Sequence, residues 1–127
     1  MEAKYQTGTA TNATETYSTT KAPKITVSGA HTVLVTLSFT ATTKVANSGC
    51  LASFSGDNGS TINGATITNL SDSRATGGGQ AGGVNAGSRA EMAVTKSGTT
   101  TFQMGYRRAG SSATCTFTNM SIITQVY

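Results

Sequence analysis

The stretch His31-Thr32-Val33-Leu34-Val35-Thr36-Leu37-Ser38-Phe39-Thr40-Ala41 decides the fold class. Val33, Val35, Leu37, Phe39 and Ala41 fall on one side of an extended chain, and Thr32, Leu34, Thr36, Ser38 and Thr40 on the other. That period of two is the pattern of a half-buried strand, and its β-branched and aromatic residues suit a pleated surface. Leu34 interrupts the polar side, either as a subunit contact or as an isolated apolar residue at the surface.

Working outward, the same alternation recurs in shorter pieces. Pro23 holds Ala22 extended, Ile25 and Val27 share a face, and Ser28-Gly29-Ala30 turns the chain into the long strand. Downstream, Cys50-Leu51-Ala52-Ser53-Phe54 reads as a strand that runs into the turn formers Ser55-Gly56-Asp57-Asn58-Gly59-Ser60. Ala65 and Ile67 alternate with Thr66 and Thr68 before Ser71-Asp72-Ser73. Residues 76–88 form a glycine-rich island, read as a mobile connection between strands. It lacks the Lys-Ser/Thr continuation that a phosphate-binding loop requires.

Regularity then returns. Met92 and Val94 alternate, Lys96-Ser97-Gly98 turns the chain, and Phe102, Met104 and Tyr106 share a face. Ala113, Cys115 and Phe117 line another strand, and Asn119-Met120-Ser121 leads into a last one, 122–127. Seven or eight strands separated by turn signals, with no helical pattern, predict an all-β fold: a single jelly-roll-like antiparallel β-sandwich over residues 23–127.

Residues 1–22 are different. They are polar and Thr-rich, with Tyr5 and Tyr17 as their only large side chains, so they predict an extended N-terminal arm outside the sandwich core. Such a segment either lies across a neighbouring surface or is a loose terminus. Lys4, Tyr5, Tyr17, Lys21 and Lys24 are the candidates for partner contact, the cations toward acidic surfaces and the tyrosines to bury flat area.

Composition narrows the chemistry. The 127 residues hold 15 Gly, 25 Thr and 14 Ser but no Trp and a single His, so few general acids, bases or metal ligands are present. An enzyme would have to run on His31, Asp57, Asp72 or Glu91; His31 opens a strand with no Ser or Cys neighbour to suggest a relay, and Asp57 and Asp72 fit turns. No catalytic, metal or cofactor site is expected. Nine Lys/Arg against five Asp/Glu leave a net charge of +4, scattered except at Arg107-Arg108, which does not make a nucleic-acid footprint. No apolar run approaches the length of a membrane span. Met1-Glu2-Ala3-Lys4-Tyr5-Gln6 does not resemble a signal peptide, which predicts a chain made in a cytoplasm. In that compartment Cys50 and Cys115 read as buried reduced thiols, with a disulfide as the alternative if their strands approach.

Residues 99–108, Thr-Thr-Thr-Phe-Gln-Met-Gly-Tyr-Arg-Arg, followed by Gly110-Ser111-Ser112-Ala113-Thr114-Cys115-Thr116-Phe117 and Asn119-Met120-Ser121-Ile122, resemble the last strands of the TNF/C1q-like jelly rolls. The long strand 31–41 sits where those domains place a core strand. The Gly/Thr/Ser/Ala-rich style is similar to that of proteins from tailed-phage particles. The resemblance implies a homotrimer, with Leu34, Phe102, Met104 and Tyr106 as candidate subunit-interface residues. It also implies a virion structural protein, assembled in the host cytoplasm, that decorates or cements a capsid by binding the major capsid protein. The alternative is a receptor-binding tip module of a tail fibre or spike, reading its target with the loops 55–60 and 77–88.

Overall fold

In the computed structural model, which describes residues 2–12, 17–43, 49–56, 61–62, 65–66, 74–77, 84–109 and 114–127, the chain forms ten strands. They are β1 (Glu2–Asn12), β2 (Lys24–Ser28), β3 (Thr32–Thr43), β4 (Gly49–Ser55), β5 (Thr61–Ile62), β6 (Ala65–Thr66), β7 (Arg74–Gly77), β8 (Val84–Val94), β9 (Thr99–Ala109) and β10 (Cys115–Val126). A six-stranded sheet has the order β1-β10-β3-β8-β5-β6, and a four-stranded sheet the order β2-β9-β4-β7. All pairings are antiparallel, and the two sheets pack as a β-sandwich. No helix occurs among the described residues.

β3 lies between β10 and β8, at the heart of the larger sheet. Its alternation is realised as read: Val33, Val35, Leu37, Phe39 and Ala41 are buried, while Leu34, Thr36, Ser38 and Thr40 on the outer face are half-buried. From the smaller sheet, Ile25, Val27, Ala52, Phe54, Phe102, Met104 and Tyr106 enter the same core. Each large apolar side chain so removed from water contributes about 1.5–3 kcal/mol. Phe117 joins the layers, with its ring 5.5 Å from that of Phe39 in its own sheet and 4.9 Å from that of Tyr106 in the other.

Several expectations are corrected. The last two predicted strands are one strand, β10, interrupted by a register shift between Thr118 and Ser121. Asn119 sits there with φ 53°, a left-handed conformation that Asn tolerates better than most residues. The irregularity moves the alternation by one residue, so Cys115 and Phe117 point inward before it and Met120, Ile122 and Thr124 after it. The glycine-rich island is only partly a connection, since its residues 84–88 belong to β8 and Gly87 lies directly opposite Phe39. Of the predicted strand around Ala65 and Ile67, Ala65–Thr66 is present as β6, and the remainder lies outside the described residues.

The described parts of the first 22 residues, 2–12 and 17–22, are not an arm separate from the sandwich. Glu2–Asn12 pairs along β10 as the edge of the larger sheet, with Lys4 opposite Ile122 and Tyr5 opposite Ser121. A Thr-rich segment holds extended backbone readily, and β10 without a neighbour would present a long unpaired edge. Residues 17–23 then run along β9 of the smaller sheet, with backbone hydrogen bonds between Ser18 and Tyr106 in both directions and from Met104 N to Pro23 O.

The cysteines are joined. Cys50 on β4 and Cys115 on β10 are both fully buried and form a disulfide across the two sheets, with 5.8 Å between their Cα atoms. This replaces the reading of two reduced thiols, because the fold brings strands 65 residues apart in sequence into bonding range.

Candidate functional site

The strap formed by residues 17–23 carries two of the five residues expected to meet a partner, Tyr17 and Lys21, and leads directly into a third, Lys24. It is fixed from below by Tyr106, whose hydroxyl donates to the Thr20 carbonyl at 2.7 Å and receives a 3.4 Å hydrogen bond from Ser18 Oγ. Gln103 Nε2 donates to the Ala22 and Pro23 carbonyls at 3.5 and 3.4 Å. On this base Lys21 is exposed, with φ 61°, and Lys24 is exposed at the start of β2. Tyr17 is half-buried under the Arg107 guanidinium, which lies 5.1 Å from the centre of its ring. Such stacking of a cation on an aromatic face holds Arg107 beside the strap. Lys4 and Tyr5 are in the other sheet, on β1.

A polar cavity of about 400 Å³ opens between the two segments, lined by Thr9, Ala10 and Thr11 of β1, by Ser18, Thr20 and Lys21 of the strap, and by Tyr106. Its described lining residues offer hydroxyls and one ammonium group, and among them there is no carboxylate, imidazole or thiol to make an acid–base pair or a metal-ligand set. Among the described residues no cluster of three or more His, Cys, Asp or Glu forms. His31 is exposed ahead of β3, and its backbone N–H donates to Thr95 Oγ1 at 2.9 Å. The Glu91 carboxylate is occupied by Arg89, at 2.6 Å. Asp57 and Asp72 lie outside the described residues, as does most of the loop 55–60.

Three of the four expected interface residues are corrected. Phe102, Met104 and Tyr106 are 0–1% exposed inside the chain's own core and have no surface to give to a second subunit. An alternating apolar row suits a subunit seam and a core alike, and here it fills the space between the sheets together with Phe39, Phe54 and Phe117. Leu34 is on the outer face of the larger sheet, half-buried between Met92 and Gln125.

The structure adds surface residues that the sequence reading did not single out. On β8 the inward positions include Gly87 and Ala93, small residues directly opposite Phe39 and Val33. The larger Met92 and Val94 therefore face outward, 39% and 53% exposed. Reading bulk as inward fails where a small residue makes room for a large cross-strand neighbour.

Comparison of the chain with protein-family models, with curated proteins and with solved structures finds no match.

Proposed function

We propose that this chain is a virion structural protein that decorates or cements a tailed-phage capsid as a homotrimer, meeting the major capsid protein through the cationic strap. The observation that carries the reading is the strap itself. Lys21 lies on a segment hydrogen-bonded to β9, Lys24 directly follows it, and the Tyr17-stacked Arg107 of β9 stands beside it, next to a cavity with no catalytic groups among its described lining residues. Cations presented on a rigid base steer and fix an acidic partner surface.

Two further features support it. With the short β5 and β6 set aside, successive strands cross from one sheet to the other except at β4 and β7, which are neighbours. That wrapping supports a jelly roll. The inter-sheet disulfide suits a protein assembled in a reducing cytoplasm and released to oxidising surroundings, where the bond closes.

The test is binding to purified shells that lack the chain, read by co-sedimentation and by quantitative mass spectrometry against the shell protein. A copy number approaching that of the shell protein is expected. Binding should weaken with salt and in the variant K21E/K24E, whose exposed positions leave the core untouched. Deleting residues 1–20 is a poorer probe, because it removes β1 and uncovers β10. Tens of copies per particle would move the role to the tail, and no binding would overturn the reading.

A further inference from the structure

Apart from Thr9 and Thr11 at its β1 edge, the outer face of the six-stranded sheet has no part in the site described above, and it differs from the rest of the surface. Its described side chains lie in cross-strand rows: Gln125, Leu34 and Met92; Ile123, Thr36 and Ala90; Ser121, Ser38 and Ser88; Thr118, Thr40 and Ala86. None of these is ionisable, in a chain that carries nine basic and five acidic residues. The smaller sheet, by contrast, bears Lys24 and Arg107.

The polar groups of this face are largely satisfied within it. The hydroxyls of Ser38 and Ser121 bond to each other at 2.6 Å, and those of Thr40 and Thr118 are also paired, with Thr40 Oγ1 donating to the Thr118 carbonyl at 3.1 Å. Covering hydroxyls that already have partners costs far less than covering free ones.

At one end the face becomes apolar. Among the described residues the exposed large hydrophobics are Met92, Val94, Val126 and Tyr127, all at this end of the larger sheet; Met92, Val94 and Tyr127 belong to the outer face, while Val126 is opposite the inward Val33. Tyr127 is held there by its N–H, which donates to the Thr32 carbonyl at 2.9 Å. Leu34 joins them from β3.

We infer that this face is covered by a second copy of the same chain. The inference deepens the proposed function, resting on its oligomeric part, and assigns the contact to Leu34, Met92, Val94, Ile123 and Tyr127 in place of the buried β9 row. The occupant follows from charge. Among its described residues this face has no Lys, Arg, His, Asp or Glu with which to select an acidic or basic partner, whereas two copies of a +4 chain meet here without opposing those cations. The area is also suitable. About ten residues of β3 across about four strands make roughly 650 Å² of flat surface, close to the ~800 Å² that each partner gives to a stable interface.

The test is the mass of the full chain in solution, by light scattering and sedimentation velocity from about 1 to 100 µM, without particles. A multiple of 12.9 kDa is expected for the native chain. The variant M92E/V94E should return to the monomer with an unchanged far-ultraviolet spectrum, and T101E on the opposite sheet should not. If M92E/V94E does not fold, A90E, in the middle of the face, supplies the same test. A monomer at 100 µM, or an oligomer that survives these charges, overturns the inference. Shell binding by the same samples is a separate reading, so failure of the capsid role remains distinguishable from failure of the interface.

Discussion

Cys50 and Cys115 pin the two sheets together from strands that share no hydrogen bond, β4 in the smaller sheet and β10 in the larger. The bond closes a loop of about 65 residues, and in the chain-entropy account a loop of that length stabilises by about 4 kcal/mol, with native relaxation reducing it to roughly 2–4. C50A/C115A should therefore melt roughly 10 °C or more below the native chain, as differential scanning calorimetry would read. Because both sulfurs are fully buried, the folded protein should resist millimolar dithiothreitol and become reducible only when denaturant is added. Rapid labelling of both thiols in native buffer would contradict the structure.

Phe117 is the side chain on which the core layers converge, between the rings of Phe39 and Tyr106. Truncation leaves a cavity lined by two aromatic rings that cannot readily collapse, so F117A should cost about 3–5 kcal/mol. T116A, one residue away on the outer face, should change stability by less than about 1 kcal/mol. Urea denaturation of the two variants checks the contrast, and equal losses would mean that β10 has the opposite facing.

How much of this was legible depends on whether the controlling interaction is local. The alternation of Val33 to Ala41 is local, and it fixed both the strand and its buried side. The row of Phe102, Met104 and Tyr106 was equally visible, but whether the chain's own second sheet or another subunit covers it is decided by contacts far away in sequence, and periodicity does not carry that information. β1 resembles an arm in sequence because an edge strand can be polar and Thr-rich; among its described side chains Ala10 belongs to the core cluster. The disulfide, too, is a contact between distant segments. The outward Met92 and Val94 depended on Gly87 and Ala93 facing Phe39 and Val33, a fit that appears only when β3 and β8 are in register.

Tyr106 holds the strap from within, and the prediction follows from its one polar atom. Y106F keeps the ring in the core but removes the hydrogen bond to the Thr20 carbonyl and the contact with Ser18 Oγ. The cost should be about 1 kcal/mol, the net contribution of one part-buried hydrogen bond whose acceptor lies on an exposed residue. The loss should be local: hydrogen exchange at Ser18 and Ala22 should accelerate, while amides of β3 change only with global stability. Uniform acceleration across both sheets would show that the hydroxyl supports the whole fold rather than the strap.

Asn119 tests the phase change in β10. Its φ of 53° is strained for a β-branched side chain, and the residue is exposed, so backbone conformation outweighs packing at this position. N119V should destabilise by about 1–2 kcal/mol, while N119G should be neutral or slightly stabilising, since glycine adopts a positive φ without a Cβ clash. An ordinary strand position gives the reverse order, with valine favoured over glycine. Thermal melts of the pair therefore decide whether β10 carries the irregularity that brings both Phe117 and Ile122 to the core. Valine proving the more stable would mean an unbroken alternation, which would turn one of those two side chains out to solvent.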